Sequence, residues 1–196
     1  MDVRERLLKA AATVYAESGY RGATTRRIAQ EAGVNEITLF RQFGSKDALI
    51  HEALHCAGMH DALGELPDDP QDPERELTEW SQHFLAHLYD KRSIIRTCLA
   101  EVESRPEVIP NTGEGPAAAS RQLCQYLLRL RERGLAAHDF APSVAAAMLM
   151  GAMFADAMGR DVMPEMYHYA AEDAPAMYVK LFLRAVGATV PQANGN

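Results

Sequence analysis

The sequence predicts an all-α fold of about nine helices, three short ones in front of about six longer ones. Apolar residues recur three and four apart along most of the chain, a spacing that gathers them on one helical face. No run alternates apolar and polar residues in the manner of a half-buried strand, and no Asn-Gly turn stands between two such runs. Clusters of proline, glycine and acids cut the periodic stretches apart.

Taken in order, Val3, Leu7, Ala11, Val14 and Tyr15 share one face of a first helix, with Gly19 as its expected C-cap. A second, short helix runs from about Thr25 to Ala32, with Thr24 as the capping oxygen and Gly33 as the break. A third covers about Asn35 to Phe43. Gly44 and Ser45 separate it from a fourth that begins at Lys46, where Ser45 can cap and Asp47 suits the positive helix start. The stretch 61–73 holds three prolines and five acids and reads as a solvated connection. Leu77, Trp80, Phe84 and Leu88 mark a fifth helix. Ile95, Cys98, Leu99 and Val102 mark a sixth over about 93–104. After a Pro/Gly-rich loop over 105–116 come helices near 117–133 (stripe Leu123, Tyr126, Leu127, Leu130), 143–160 and 175–186. Pro175 fits the first turn of the last, and the polar end from 188 is expected to fray.

The 196 residues are 47% apolar and 24% charged, which excludes a disordered chain, and no glycine repeat suggests a fibre. No apolar run approaches the roughly 20 residues that span a bilayer, and the charged start is not a secretion signal. Neither a membrane nor a secreted destination is expected; the expected location is cytoplasmic. Cys56, Cys98 and Cys124 are odd in number and widely spaced, which argues against a disulfide scaffold or zinc ribbon. Net charge is −7, unevenly spread: residues 1–50 carry +2 and the remainder −9. A mildly basic front on an acidic body suits a protein that meets a polyanion at one end.

The stretch Thr24 to Phe43 has the parts of a helix-turn-helix. Ile28 and Ala29 face inward, Gly33 permits the turn, Val34 fills the gap, and Leu39 with Phe43 anchors the second helix. Asn35, Glu36, Ile37, Thr38, Arg41 and Gln42 are then left on outward or flanking faces. An exposed Ile37 and Thr38 suit a thymine methyl, Glu36 can accept from cytosine, and Gln42 can pair with adenine. Thr24, Thr25, Arg26, Arg27 and Lys46 gather at helix starts, where amides, hydroxyls and cations suit phosphates. The same spacing also fits a plain helical hairpin with a solvated basic face.

The motif Thr24-Thr25-x-x-Ile28-Ala29-x-x-Ala32-Gly33-Val34, followed by Thr38-Leu39-Phe40-Arg41-x-Phe43-x-Ser45-Lys46-x-x-Leu49, resembles the tetracycline-repressor (TetR/AcrR) family of bacterial transcription regulators. The first helix with its Gly19-Tyr20 ending matches too, so the likeness covers roughly the first 50 residues. It implies a DNA-binding domain over 1–46, a ligand-binding and dimerisation domain over 47–187, and a tail at 188–196. Base-facing positions would be Glu36, Ile37, Thr38 and Gln42; phosphate-facing ones Thr25, Arg26, Phe40 and Lys46. Phe40 departs from the family's usual tyrosine and cannot donate to a phosphate, a loss on the order of 1 kcal/mol. Gln42 stands where histidine or tyrosine is common, so base preference is not inherited.

The resemblance further implies a homodimer joined through the helices near 143–160 and 175–186. Ala147, Gly151 and Ala155 there make a smooth strip, and Met177, Tyr178, Leu181, Phe182 and Ala185 a broad apolar face. Spacing alone leaves open whether these pack on a second chain or on their own core. An effector pocket in the body would draw its lining from Met59, Trp80, Phe84, His87, Cys98, Val102, Tyr126, Met150, Met153 and Phe154, walls that suit a small, mostly apolar molecule. The same stripes also suit simple core. Glu101, Glu103 and Asp156 could face a cation, but solvated positions are the expectation. The pairs His51/His55 and His83/His87 stand four apart but lack the companions of a metal motif, so no metal or cofactor is expected. The expected activity is a ligand-released repressor on a palindromic operator, with the fourth helix as lever. The rival is a small all-α enzyme or a binding module without DNA, but no catalytic constellation stands out.

Overall fold

The computed structural model describes residues 1–56, 64–105 and 114–188; Met59 and the tail 189–196 lie outside them. Every regular element among the described residues is helical: α1 (Val3–Gly22), α2 (Thr25–Glu31), α3 (Glu36–Phe43), α4 (Lys46–Cys56), α5 (Pro73–Asp90), α6 (Arg92–Glu101), α7 (Glu114–Glu132), α8 (Pro142–Gly159) and α9 (Ala174–Ala185), with a 3-10 turn at Pro164–Met166. The expected all-α fold is what forms, and the caps expected at Thr24 and Ser45 are in place. The Arg27 amide donates to Thr24 Oγ1 at 3.2 Å and the Ala48 amide to Ser45 Oγ at 3.1 Å. Pro175 sits in the first turn of α9.

The described residues pack as two compact units, the first from 1–56, 90–105 and 114–115, the second from 64–89 and 116–188. In the first, α1 lies against α2, α4 and α6, while α3 bridges α2 and α4. Leu7, Ala11, Val14, Tyr15, Ile28, Leu39, Leu49 and Ile50 are almost completely withdrawn from water and form its core. Membership of a unit follows this packing rather than a boundary in chain order, because α6 returns to α1 after α5.

Two expectations need correction. Gly19 breaks the regular helix where its cap was expected, at φ 64°, ψ −176°, but a further helical turn, not foreseen, follows to Gly22 beyond the kink. That conformation is essentially open to glycine alone. In α6 the packed side is not Cys98 with Leu99 and Val102. Ile94 and Cys98 touch the core, whereas Leu99 and Val102 are 54% and 45% exposed.

In the second unit, α8 packs on α9, and the stripes of α5 (Leu77, Trp80, Phe84, Leu88) and α7 (Leu123, Tyr126, Leu127, Leu130) are buried. The acidic connection at 64–72 is strapped to α7 by polar contacts. Gln122 Nε2 donates to the Gly64 carbonyl at 3.3 Å and Arg133 Nη1 to the Pro70 carbonyl at 2.9 Å, while Arg129 pairs with Asp68.

Candidate nucleic-acid interface

The turn between α2 and α3 is set by its backbone bonds. Gly33 takes φ 65°, its amide donates to the Gln30 carbonyl at 3.1 Å, and the Val34 amide reaches back to Ala29 at 3.0 Å. This paired pattern is the Schellman stop, which needs a residue free of a Cβ at Gly33. Arg6 Nη1 donates to the Ala32 carbonyl at 3.1 Å and ties the turn to α1. Asn35, exposed as expected, also caps α3 by accepting from the Ile37 amide at 2.9 Å.

With Leu39 fully buried and Phe43 packed on the core, the opposite side of α3 faces out. Ile37 is 75% exposed, Arg41 and Gln42 are exposed, and Glu36 and Thr38 are half-buried. An exposed aliphatic at this place on the helix is of the kind that can meet a thymine methyl in a major groove. Arg26 is exposed, and Phe40 is 46% exposed on the same short helix as the positions expected to face bases.

Three of the expected contacts are already engaged within the protein. The Thr25 hydroxyl donates to Glu36, which links a position expected to face phosphate with one expected to face a base. Arg27 pairs with Glu17 at 2.6 Å. The Lys46 ammonium donates to the Tyr20 carbonyl and lies 3.8 Å from the centre of the Tyr20 ring. Burial, opposed in part by Asp47, lowers the Lys46 pKa from its ordinary value.

The pocket candidates divide between the two units. Cys98 and Val102 belong to the first; Trp80, Phe84, His87, Tyr126, Met150, Met153 and Phe154 to the second. Phe84, Tyr126 and Met153 are buried, while Phe154 is 37% exposed. Two of the aromatics spend their polar tips on structure: Trp80 Nε1 donates to Gln122 at 2.7 Å, and the Tyr126 hydroxyl to Glu76 at 2.7 Å. The open groove along α5 is lined instead by polar side chains such as Gln71, Arg75, Thr78 and Glu79.

Two of the three acids expected to be solvated are not. Asp156 is completely buried on α8 and accepts from Tyr89 and Tyr178 hydroxyls, both at 2.6 Å, and from Arg160 at 2.6 and 2.7 Å. Those donors hold its pKa below the usual value against the opposing effect of burial, while burial and the Asp156 bond push Tyr89 up to about 12. Arg160 is flanked by the Tyr167 and Tyr169 rings at 4.8 and 4.9 Å. Glu101 is half-buried and bonded to α1. Spacing marks only Arg160, four residues from Asp156; Tyr89, Tyr178 and the α1 partners of Glu101 come from helices distant in sequence.

The family profile described as "Bacterial regulatory proteins, tetR family" matches residues 7–53, the stretch that builds α1 to α4. The HTH-type transcriptional regulator YvkB of Bacillus subtilis is 30% identical over 131 residues, covering 67% of this chain and 69% of that protein. The HTH-type transcriptional repressor KstR2 of Rhodococcus jostii is 43% identical over 51 residues, 26% of this chain and 25% of its own. Solved structures agree in fold. A TetR-family regulator from Mesorhizobium loti superposes with a TM-score of 0.72 at 21% identity, over 95% of this chain and 97% of that one. A transcriptional regulator from Pseudomonas aeruginosa gives 0.75 at 22%, over 94% and 89%.

Proposed function

Because the chain belongs to the tetR family of bacterial regulatory proteins and is a DNA-binding transcriptional regulator, we propose that it is a cytoplasmic repressor, homodimeric on a palindromic operator and released by a small, mostly apolar effector. The observation that carries this reading is α3: a short helix anchored by Leu39 whose other side offers Ile37, Arg41 and Gln42 outward. Glu36, Ile37, Thr38 and Gln42 read bases; Thr25, Arg26 and Lys46 steady the backbone, and Phe40 adds apolar contact only.

The dimer is supported by the exposed faces of α8 and α9. Val144, Met148 and Phe154 are 67%, 52% and 37% exposed, with Ala147, Gly151 and Ala155 beside them, and Met177 and Leu181 on α9 are 44% and 63% exposed. A run of this kind on a folded unit marks a contact surface. Among the described residues, Pro142–Gly159 is the one helix long and apolar enough to cross a membrane, yet only 39% of that stretch is buried within the chain. A seam with a second copy uses the same face. Two copies of α3 then meet successive major grooves, about 34–36 Å apart. The effector is proposed to seat on the apolar walls of the second unit, near Phe84, Met150 and Met153, where it need favour one dimer state by only about 1–3 kcal/mol.

A gel-shift against the DNA upstream of its own gene tests this. Retention that falls steeply as salt rises is expected. No retention, or retention indifferent to salt and to sequence, overturns it.

A further inference from the structure

We propose that Glu101, at the last turn of α6, is a positioning residue for DNA reading: it clamps the α1 kink and so sets the direction in which the chain enters α2 and α3. The inference rests on the reading of α3 as the DNA-contacting helix. Its carboxylate accepts from the Tyr15 hydroxyl at 2.9 Å and from the Tyr20 amide at 3.0 and 3.3 Å. The Tyr20 amide is the first donor after Gly19, whose left-handed backbone opens it. A Cβ on Gly19 would stand 2.6 Å from Glu101 Oε1, so the glycine leaves room for the carboxylate itself. One turn earlier on α6, Thr97 Oγ1 donates to the Ala16 carbonyl at 3.1 Å.

The rest of the junction closes around Tyr20. Its hydroxyl donates to Asp47, its carbonyl accepts from Lys46, and its ring lies under Lys46 and, at 4.6 Å, under Arg105. Three residues later Ala23 is fully buried, and Thr24 caps α2. Ile94 and Cys98 hold α6 to the core while only partly buried, and Thr97 and Glu101 add polar bonds to α1. A carboxylate bonded to a backbone amide and a hydroxyl is the strongest link available there.

The test compares Glu101→Ala with Glu101→Gln. Both remove the same negative charge, which by itself would tighten binding to any DNA. Glutamine keeps an acceptor for the Tyr20 amide; alanine does not. The probe is a duplex recovered by the wild-type protein from a random pool, against a scrambled duplex. Alanine is expected to weaken the selected duplex about tenfold or more while leaving the scrambled one within about threefold, and glutamine to stay within about threefold on both. The Tyr20 amide is expected to exchange about tenfold faster in the alanine variant and near the wild-type rate in the glutamine variant. If alanine prevents folding, Tyr15→Phe, which deletes one bond of the clamp, should show a smaller loss in the same direction. Equal behaviour of Ala and Gln, or an unchanged Tyr20 amide, overturns the inference. A wild-type protein that recovers no duplex overturns the DNA reading instead, and the exchange rates still judge Glu101.

Discussion

Ile37 and Lys46 separate reading from holding. At 75% exposure Ile37 contributes little to the fold, so Ile37→Ala should leave unfolding in urea within about 0.5 kcal/mol of wild type. The same change should cost on the order of 1 kcal/mol on the preferred duplex, concentrated at one base pair when mismatched sites are compared. Lys46 is different because its ammonium is bound to the Tyr20 carbonyl and ring. Lys46→Ala should therefore lower the melting temperature as well as affinity for every sequence. Its salt slope should fall by less than the roughly 0.9 expected for a free phosphate contact. An unchanged melting temperature with a full unit of slope lost would assign Lys46 to the phosphate alone.

At the scale of an element, α1 and α8 each depend on one unusual residue. Gly19 holds a backbone conformation closed to L side chains, and an added Cβ would press on Glu101. Gly19→Ala is expected to destabilise by about 2 kcal/mol or more, read from the urea midpoint. On α8 the buried Asp156 pairs with the partly exposed Arg160 at the helix's C-cap, and Tyr89 and Tyr178 complete the set. Asp156→Asn should cost on the order of 3 kcal/mol near neutral pH, because Arg160 loses its charge partner. The sign with pH follows from the depressed Asp156 pKa. The stabilisation is complete above the unfolded value of about 4 and is lost as pH falls through the lower folded value. The gap between wild type and Asp156→Asn should thus hold constant from pH 7 to 5 and begin to narrow only below about pH 4, as urea titrations at pH 7, 5 and 3 would show.

Over the whole molecule, the proposed dimer makes the sharpest demand. Met148 and Leu181 are 52% and 63% exposed, so the pair Met148→Glu and Leu181→Glu should leave helicity unchanged while placing charge on the seam. Sedimentation should show a dimer for wild type and a monomer for the double variant, with specific DNA affinity falling along with dimerisation. A double variant that remains dimeric would move the seam elsewhere.

The order of helices, their caps at Thr24 and Ser45, the break at Gly33 and the outward set Ile37, Arg41 and Gln42 were legible in the residues, because each depends on neighbours within about four positions. The kink at Gly19, the grip of Glu101 on Tyr20, the burial of Asp156 and the engagement of Lys46 were not. Each joins groups brought together only when distant helices pack, such as Tyr15 with Glu101 or Tyr89 with Asp156. Local pattern determines which faces a helix offers; the partner that meets a polar side chain on that face is decided by the tertiary fold, since desolvation makes an unmet one too costly to keep.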